Sequence, residues 1–239
     1  MKEQHKKRSI ADYRAVVFDL DGTLYYQRRL RITMAARLLR YYAGHPWRVK
    51  ELLIVKEFRS VRERWDSIGR TVPAVSKEAP AGSLDQAQYA YVAAKMKTTA
   101  AYVERAVQTW IYENPLSALK KSKDEEIGRL MEALRAKGIW VLIFSDYPVE
   151  EKLAALELQA DGMYSATDER LMELKPSPKG LLLIMQDYGL KPEELLMIGD
   201  RYSRDGMAAI HAGVDYLILE KQPRKRRPVY EELFKEISI

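Results

Sequence analysis

The sequence predicts an α/β fold, in which helices flank a parallel sheet and an all-helical segment is inserted after the first strand. Short apolar runs alternate with helical patterns from about residue 122 to the end, as is typical of parallel sheets. An apolar run of the same character lies far upstream, at residues 15–18. The interval between these regions lacks strand patterning and has helical spacing instead. The simplest architecture is therefore a split α/β core with a helical insertion.

The first strand is predicted at residues 15–18, where the run Ala-Val-Val-Phe indicates a buried strand. Asp19, Asp21, Gly22 and Thr23 follow it closely. Because side chains alternate along a strand, Asp19 and Asp21 point the same way. Two carboxylates at the end of a buried strand are costly unless a cation compensates them. A divalent metal ion is the natural candidate, and an EF-hand loop is excluded because its glycine and its last glutamate are missing.

The inserted segment is predicted to be helical apart from one loop. Pro, Gly and Ser are concentrated between Gly69 and Ser83, and this composition predicts the loop. The chain is thus divided into a core domain, residues 1–26 and 119–239, and a helical cap domain, residues 27–118. The predicted helices of the cap span about residues 33–43, 47–66, 85–97 and 99–113.

Beyond the insertion, the core resumes with a helix that Asp124 is expected to cap and Gly138 to end. Residues 139–144 follow as a buried strand. Four basic residues at 224–227 are predicted to form an exposed turn before a last helix. The remaining elements are, in order, a helix opened by Pro148, a strand near residues 163–164, a helix at 181–188, a strand at 195–198, a helix at 207–212 and a strand at 216–219.

The composition is that of an ordinary globular protein. Of the 239 residues, 47% are apolar and 31% are charged. The absence of cysteine excludes disulfides, thiolate zinc sites and cysteine nucleophiles. No apolar run is long enough to cross a membrane, and the basic start of the chain lacks the apolar region of a signal peptide. We therefore expect a cytoplasmic protein without a membrane partner, and we predict no particular oligomeric state.

Positive charge is concentrated in the cap. Residues 28–64 contain eleven Lys and Arg against three Glu, a net charge of +8 that exceeds the +6 of the whole chain. This segment would attract anions, including phosphorylated metabolites or nucleic acid, or it could be a solvated helical face. If the charge faces the core, we expect a preference for substrates with a second anionic group. A pocket there could be lined by Tyr25, Tyr26, Arg28, Trp47, Trp65 and Trp110, but for the aromatic residues packing in a core is the expected role.

Polar side chains suited to phosphate chemistry end three of the predicted core strands. Asp19 and Asp21 follow the first, Ser145 the second and Asp200 a third, while Lys175 lies in a loop before a helix. In parallel sheets the carboxyl ends of the strands share one edge, where ligands bind. Singly, each residue has an ordinary structural explanation, such as a helix cap or a solvated lysine. As an ordered set at strand ends, they predict one site.

The residue types suggest a role for each member of this set. A carboxylate can attack phosphorus to form an acyl phosphate, and Asp19 is the first side chain past its strand. A second carboxylate, Asp21, can protonate the leaving oxygen and then deprotonate water. Asp19 and Asp200, with a backbone carbonyl, offer the hard oxygen ligands that Mg²⁺ prefers. Ser145 and Lys175 would bind the phosphoryl oxygens.

Four segments resemble the motifs of the haloacid dehalogenase (HAD) superfamily. They are residues 17–23 (Val-Phe-Asp-Leu-Asp-Gly-Thr), residues 143–145 (Ile-Phe-Ser), Lys175 with Pro176, and residues 197–205, which contain a Gly-Asp-x-x-x-x-Asp arrangement. The resemblance spans the whole core and implies a Rossmann-like parallel sheet. The insertion is similar to the helical cap that members carry between the first and second motifs.

The resemblance also implies functional roles for the matching residues. Asp205 would support the metal site or orient Lys175, and Thr23 would be a supporting residue. Many relatives have Asn where this chain has Asp146, whose negative charge lies near the phosphate site unless it points away or is paired. The remaining implied roles are the nucleophile Asp19, the acid/base Asp21, phosphate binding by Ser145 and Lys175, and Mg²⁺ ligation by Asp19, the Asp21 carbonyl and Asp200.

We therefore predict a Mg²⁺-dependent phosphatase that hydrolyses a small phosphorylated metabolite through an aspartyl-phosphate intermediate. A phosphomutase would use the same core and stays open as an alternative. A dehalogenase is disfavoured, because carbon–halogen displacement needs neither a metal ion nor an acid/base at Asp21. From a different class, an inactive binding module could use the basic cap to hold nucleic acid or protein. The presence of every expected site residue disfavours that alternative.

Overall fold

A computed structural model of the chain describes residues 4–71 and 83–238. The chain divides into two units, which we call the core unit, residues 1–27 and 119–239, and the inserted unit, residues 28–118. Residues 72–82, which make up most of the predicted loop, lie outside the described residues. No helix in the described ranges has both the length and the apolar character that crossing a membrane requires.

The core unit contains a sheet in which six strands are described. Its order is β1-β6-β5-β2-β3-β4, and every neighbouring pair is parallel except β1 with β6. The parallel α/β fold and its five predicted strands are confirmed, each strand to within one residue at either end; β1 is too short to leave a pattern. The strands are β1 (Gln4–His5), β2 (Ala15–Phe18), β3 (Trp140–Ser145), β4 (Gly162–Ser165), β5 (Leu195–Gly199) and β6 (Asp215–Ile218).

In the part of the chain that the structure describes, helices alternate with the strands of the core unit and form most of the inserted unit. Two π-helical turns occur in this part, at Gln108–Glu113 and Tyr202–Gly206. In chain order the α-helices are α1 (Gln27–Gly44), α2 (Lys50–Glu63), α3 (Trp65–Thr71), α4 (Leu84–Met96), α5 (Ala100–Val107), α6 (Asn114–Leu119), α7 (Glu125–Ala136), α8 (Glu150–Ala155), α9 (Lys179–Tyr188), α10 (Met207–Ala212) and α11 (Pro223–Ser238).

The register of the central strands places the polar residues that follow them at one edge. β2 lies between β3 and β5, and all four of its residues are fully buried, as expected for a strand with both faces covered. Its last residue, Phe18, pairs with Ile143 of β3 and with Ile198 of β5. The three strands therefore end at nearly the same level, and the residues beyond them meet there.

The prediction of an exposed basic turn at residues 224–227 is wrong in its secondary structure and at Arg226, whereas the other three residues are exposed as predicted. These residues lie within α11, and Arg226 is only 1% exposed. Helical periodicity explains the difference, because Arg226 shares a face with the buried residues Tyr230 and Leu233. Asp124 does precede α7 as predicted, but its carboxylate accepts hydrogen bonds from Arg226 and Tyr230 instead of capping the helix.

The inserted unit also differs from its prediction in detail. The helix expected over residues 47–66 is interrupted at Arg64, and α3 continues to Thr71, inside the segment predicted to be a loop. Arg62, one of the eleven basic residues, is buried and forms an ion pair with Asp85. Trp110 is buried, as expected for a packing residue, whereas Trp47 is 74% exposed.

Candidate active site

The predicted site residues of the central strands meet at the carboxyl edge of the sheet. Asp19 follows β2, and its backbone N–H donates to the carbonyl of Ile198 at 2.8 Å, which extends the pairing by one residue. Ser145 ends β3, and Asp200 follows β5. All three side chains are buried. This arrangement follows from the shared register of the three strands.

Lys175 lies at the centre of a buried charge cluster. Its ammonium group donates to a carboxylate oxygen of Asp19 at 2.5 Å and to one of Asp205 at 2.6 Å. A third bond, of 3.2 Å, runs to the carbonyl of Phe144. The second oxygen of Asp205 accepts the backbone N–H of Arg201 at 3.0 Å. Asp205 therefore holds Lys175 and the start of the π-helical turn together.

The carboxylates of Asp19, Asp200 and Asp205 form a set that fits a divalent cation. Each offers an oxygen, and the three oxygens lie within 4.8 Å of one another. Burial raises the pKa of Asp19 well above its usual range; Lys175 opposes this shift, and Asp205 and Asp200 add to it. Burial and the charge of Asp205 raise the pKa of Asp200 to about 6. Negative charge is thus in excess, and hard oxygen donors in this number suit Mg²⁺.

Glycine is required at position 22 by the close approach of Asp200. The backbone of Gly22 has a φ of +107°, and a Cβ atom there would lie 2.4 Å from a carboxylate oxygen of Asp200. The next residue, Thr23, donates its hydroxyl to Asp19 at 3.0 Å. The turn after β2 therefore brings the carboxylates of Asp19 and Asp200 together.

Asp21 lies in a separate electrostatic environment from Asp19. The ammonium group of Lys152, in α8, donates to both of its carboxylate oxygens, at 2.7 and 2.8 Å. The hydroxyl of Tyr25 donates to one of them at 2.5 Å. Burial would raise the pKa of Asp21, but Lys152 and Tyr25 outweigh burial and hold the pKa below its usual value. The Asp21 carbonyl, a predicted metal ligand, accepts a hydrogen bond from the Gln27 side chain at 2.6 Å.

Ser145 and Asp146 follow each other at the end of β3, and the side chain of each accepts a backbone N–H group. The Ser145 hydroxyl oxygen, fully buried, accepts the N–H of Tyr147 at 3.0 Å. The carboxylate of Asp146 accepts the backbone N–H of Lys175 at 2.9 Å. Burial opposes the charged form of Lys175, but Asp19, Asp205 and Asp146 outweigh burial and raise its pKa. Asp146 is therefore paired, and it ties the end of β3 to the loop that carries Lys175.

Two residues of this site were missed by sequence reasoning. Lys152 lies in α8, a helix of six residues in which it follows Glu150 and Glu151, and this charged run gave no signal that Lys152 would be buried. Tyr25 was expected to pack in a core; it is buried, but its hydroxyl reaches Asp21.

The sequence is similar to a known protein family and to a curated phosphatase. A family model described as haloacid dehalogenase-like hydrolase matches residues 13–213. Phosphoglycolate phosphatase 1 from Pseudomonas aeruginosa is 25% identical over 225 residues, which cover 92% of this chain and 74% of that protein.

Solved structures with the same fold include both dehalogenases and phosphatases. A 2-haloacid dehalogenase from Pseudomonas syringae pv. Tomato DC3000 has a TM-score of 0.58 and 17% identity, covering 93% of this chain and 99% of its own. A HAD phosphatase from Thermococcus onnurineus has a TM-score of 0.51 and 18% identity, covering 90% and 97%. At such low identity these structures support the fold and nothing finer.

Proposed function

Because this chain belongs to the haloacid dehalogenase-like hydrolases, we propose that it is a Mg²⁺-dependent phosphatase of a small phosphorylated metabolite. The observation that carries the proposal is the separation of its two leading carboxylates. Asp19 lies beside Lys175 and two further carboxylates, whereas Asp21 lies beside Lys152 and Tyr25. Two titratable groups in contrasting environments are typical of a nucleophile and an acid/base that act in sequence.

In the first step, a carboxylate oxygen of Asp19 attacks phosphorus while the bond between phosphorus and the leaving oxygen breaks. Asp21 donates its proton to that leaving oxygen. Lys175 and Ser145 hold the phosphoryl oxygens by charge and hydrogen bonding. Mg²⁺, held by Asp19, Asp200 and the Asp21 carbonyl, with Asp205 behind them, would offset the repulsion between phosphate and nucleophile.

In the second step, the aspartyl phosphate on Asp19 is hydrolysed. Asp21, now ionised, takes a proton from a water molecule whose oxygen attacks phosphorus, and the bond between phosphorus and the Asp19 oxygen breaks. Inorganic phosphate leaves and Asp19 is regenerated. The ion pair with Lys152 favours the ionised form of Asp21 and so suits this second step, whereas in the first step Asp21 must be protonated against that ion pair.

For the substrate, we propose a phosphomonoester that carries a second anionic group. The relative from Pseudomonas aeruginosa is named for phosphoglycolate, which has a carboxylate beside its phosphate. The excess of positive charge over residues 28–64 of the inserted unit is consistent with such a substrate, and we propose that this unit acts as the cap that selects it.

The experiment is a phosphate-release screen over neutral and anionic phosphomonoesters, with Mg²⁺ and with EDTA. We expect Mg²⁺-dependent release that is lost in Asp19→Asn and is faster on anionic substrates. A phosphomutase would convert a phosphorylated sugar into its isomer with little free phosphate. Absence of turnover on the whole panel, with salt-sensitive oligonucleotide binding, would instead support a binding module.

A further inference from the structure

A buried arginine of the C-terminal helix donates to the turn that follows β2. Arg226 in α11 is 1% exposed. One terminal nitrogen of its guanidinium group donates to the carbonyl of Gly22 at 2.5 Å. The other donates to the carbonyl of Thr23 and to the carboxylate of Asp124, both at 2.9 Å. The Nε–H group donates to the carbonyl of Glu220 at 2.5 Å.

These contacts do more than neutralise a buried charge. Arginine commonly pairs with a carboxylate through two parallel bonds, yet among the described contacts Arg226 makes one bond to Asp124 and two to backbone carbonyls of the turn. The same Asp124 oxygen accepts the hydroxyl of Tyr230 at 2.8 Å. Of these four hydrogen bonds of Arg226, two thus go to residues 22 and 23.

The turn held by Arg226 carries both proposed reacting carboxylates. Gly22 and Thr23 come directly after Asp21, and the Thr23 hydroxyl donates to Asp19. A planar guanidinium group that binds two successive carbonyls fixes the orientation of the peptide planes between them. Displacement of this turn would move Asp21 relative to Asp19, and misplacement of a reacting group by about 1 Å can cost on the order of 10²-fold in rate.

Arg226 also joins the two segments through which the chain leaves and re-enters the core unit. These segments lie side by side: the N–H of Tyr26 donates to Ser122 at 2.8 Å, and that of Asp124 donates to Leu24 at 3.0 Å. The guanidinium group binds one segment at Thr23 and the other at Asp124, and its carbon lies 5.1 Å from the ring centre of Tyr26.

We propose that Arg226 is a positioning residue that holds Asp21 in place for proton transfer, which makes α11 part of the catalytic apparatus. This inference rests on the proposed phosphatase function. It predicts a selective defect: esters whose leaving group needs a proton should suffer more than esters whose leaving group departs as a stable anion. Loss of folded protein would instead lower the rate on both kinds of ester by the same factor.

The test compares Arg226→Met and Arg226→Lys with wild-type protein on p-nitrophenyl phosphate and on an alkyl phosphate. Lysine keeps the charge but cannot bind two carbonyls in a planar fork. The control is Arg227→Met, because Arg227 is the exposed neighbour, paired with Glu231 on the same helix. The readout is the ratio of kcat/KM on the two esters. It reports formation of the aspartyl phosphate, because both esters share the later hydrolysis step, and it does not depend on the folded fraction.

We expect this ratio to shift by about tenfold or more against the alkyl ester in both Arg226 variants and to stay unchanged in Arg227→Met. If Arg226→Met does not fold, Arg226→Lys alone decides. An unchanged ratio in a variant that retains activity would overturn the inference while leaving the phosphatase proposal intact. If wild-type protein hydrolyses neither ester, the phosphatase proposal fails, and the inference fails with it.

Discussion

Lys152 donates to both carboxylate oxygens of Asp21, at 2.7 and 2.8 Å, although the two residues are far apart in the sequence. The ammonium group of Lys152 also lies 4.9 Å from the ring centre of Tyr147. Asp19 instead has Lys175 as its hydrogen-bonded cation, and the charge of Lys175 also lowers the pKa of Asp21, although less than Lys152 does. The turn after β2 thus carries two carboxylates, and each of them is hydrogen-bonded to a different lysine.

Replacing Lys152 with Met should shift the pH dependence of the reaction. Without the ammonium group, burial dominates, so the pKa of Asp21 rises. We expect the limb of the kcat/KM profile that reports ionisation of Asp21 to move to higher pH. The measurement is a pH series on an alkyl phosphate, whose leaving group needs a proton, with Lys120→Met, an exposed lysine paired with Glu157, as the control. If this limb lies at the same pH in Lys152→Met and in the wild-type protein, Lys152 does not determine the pKa of Asp21.

Mg²⁺ should stabilise the protein more at neutral than at acidic pH. The pKa of Asp200 is about 6 in the fold against an ordinary 3.8, so this group's contribution to stability is fully present below about pH 4 and is lost as the pH rises through about 6. A cation offsets that loss only where the carboxylates are ionised. We expect a larger rise of Tm with Mg²⁺ at about pH 7.5 than at about pH 5, and none in Asp200→Asn. An equal rise at both pH values would contradict this account.

Gly22→Ala should impair the protein more than an ordinary glycine substitution. The added Cβ would lie 2.4 Å from the Asp200 carboxylate, on a backbone with a φ of +107°. We expect a loss of about 1–3 kcal/mol in the free energy of unfolding, with weaker Mg²⁺ binding. Gly138→Ala is the matched control, because Gly138 has a φ of +77° but open space around it. Chemical denaturation measures the loss of stability, and a Mg²⁺ titration measures the binding. Equal losses in Gly22→Ala and Gly138→Ala would contradict the close approach of Gly22 to Asp200.

Lys175→Met should destabilise the metal-free protein strongly. It removes the cation between Asp19 and Asp205, and breaking a buried pair in this way costs about 3–5 kcal/mol. We expect part of the loss to be recovered in acid, where the carboxylates are protonated. Urea denaturation at two pH values measures this, with the exposed Lys225→Met as the control. A change below about 0.5 kcal/mol in the free energy of unfolding, typical of a surface substitution, would contradict the buried ion pairs of Lys175.

The fold could be predicted because its strands leave strong local signals. β2, β3 and β5 are apolar runs, and once they are parallel, the convergence of Asp19, Ser145 and Asp200 follows from strand geometry. Asp146 could be recognised as a departure from the family, but its bond to the Lys175 backbone depends on how two loops pack. Local patterns contain no information on that packing.

The residues that sequence reasoning missed act across long sequence separations. Lys152 reaches Asp21, and Arg226 reaches Gly22, from helices whose charged residues look like ordinary surface residues in the sequence. Arg226 lies four and seven residues before Tyr230 and Leu233, a spacing that places all three on one helix face. The run of four basic residues hid this spacing in the sequence. Burial of a charged side chain depends on a partner elsewhere in the chain, which a local pattern does not specify.

The most direct test of the proposed function is to trap the phosphoryl group on Asp19. Asp21→Asn, which we expect to lose on the order of 10²–10⁴-fold in turnover, should accumulate the intermediate from p-nitrophenyl phosphate with Mg²⁺, because its hydrolysis lacks a base. After acid quenching, mass spectrometry should find one phosphoryl group on the peptide that contains Asp19, and none in the Asp19→Asn variant. Phosphate release by Asp19→Asn at the wild-type rate, or an adduct on another residue, would contradict the proposed nucleophile.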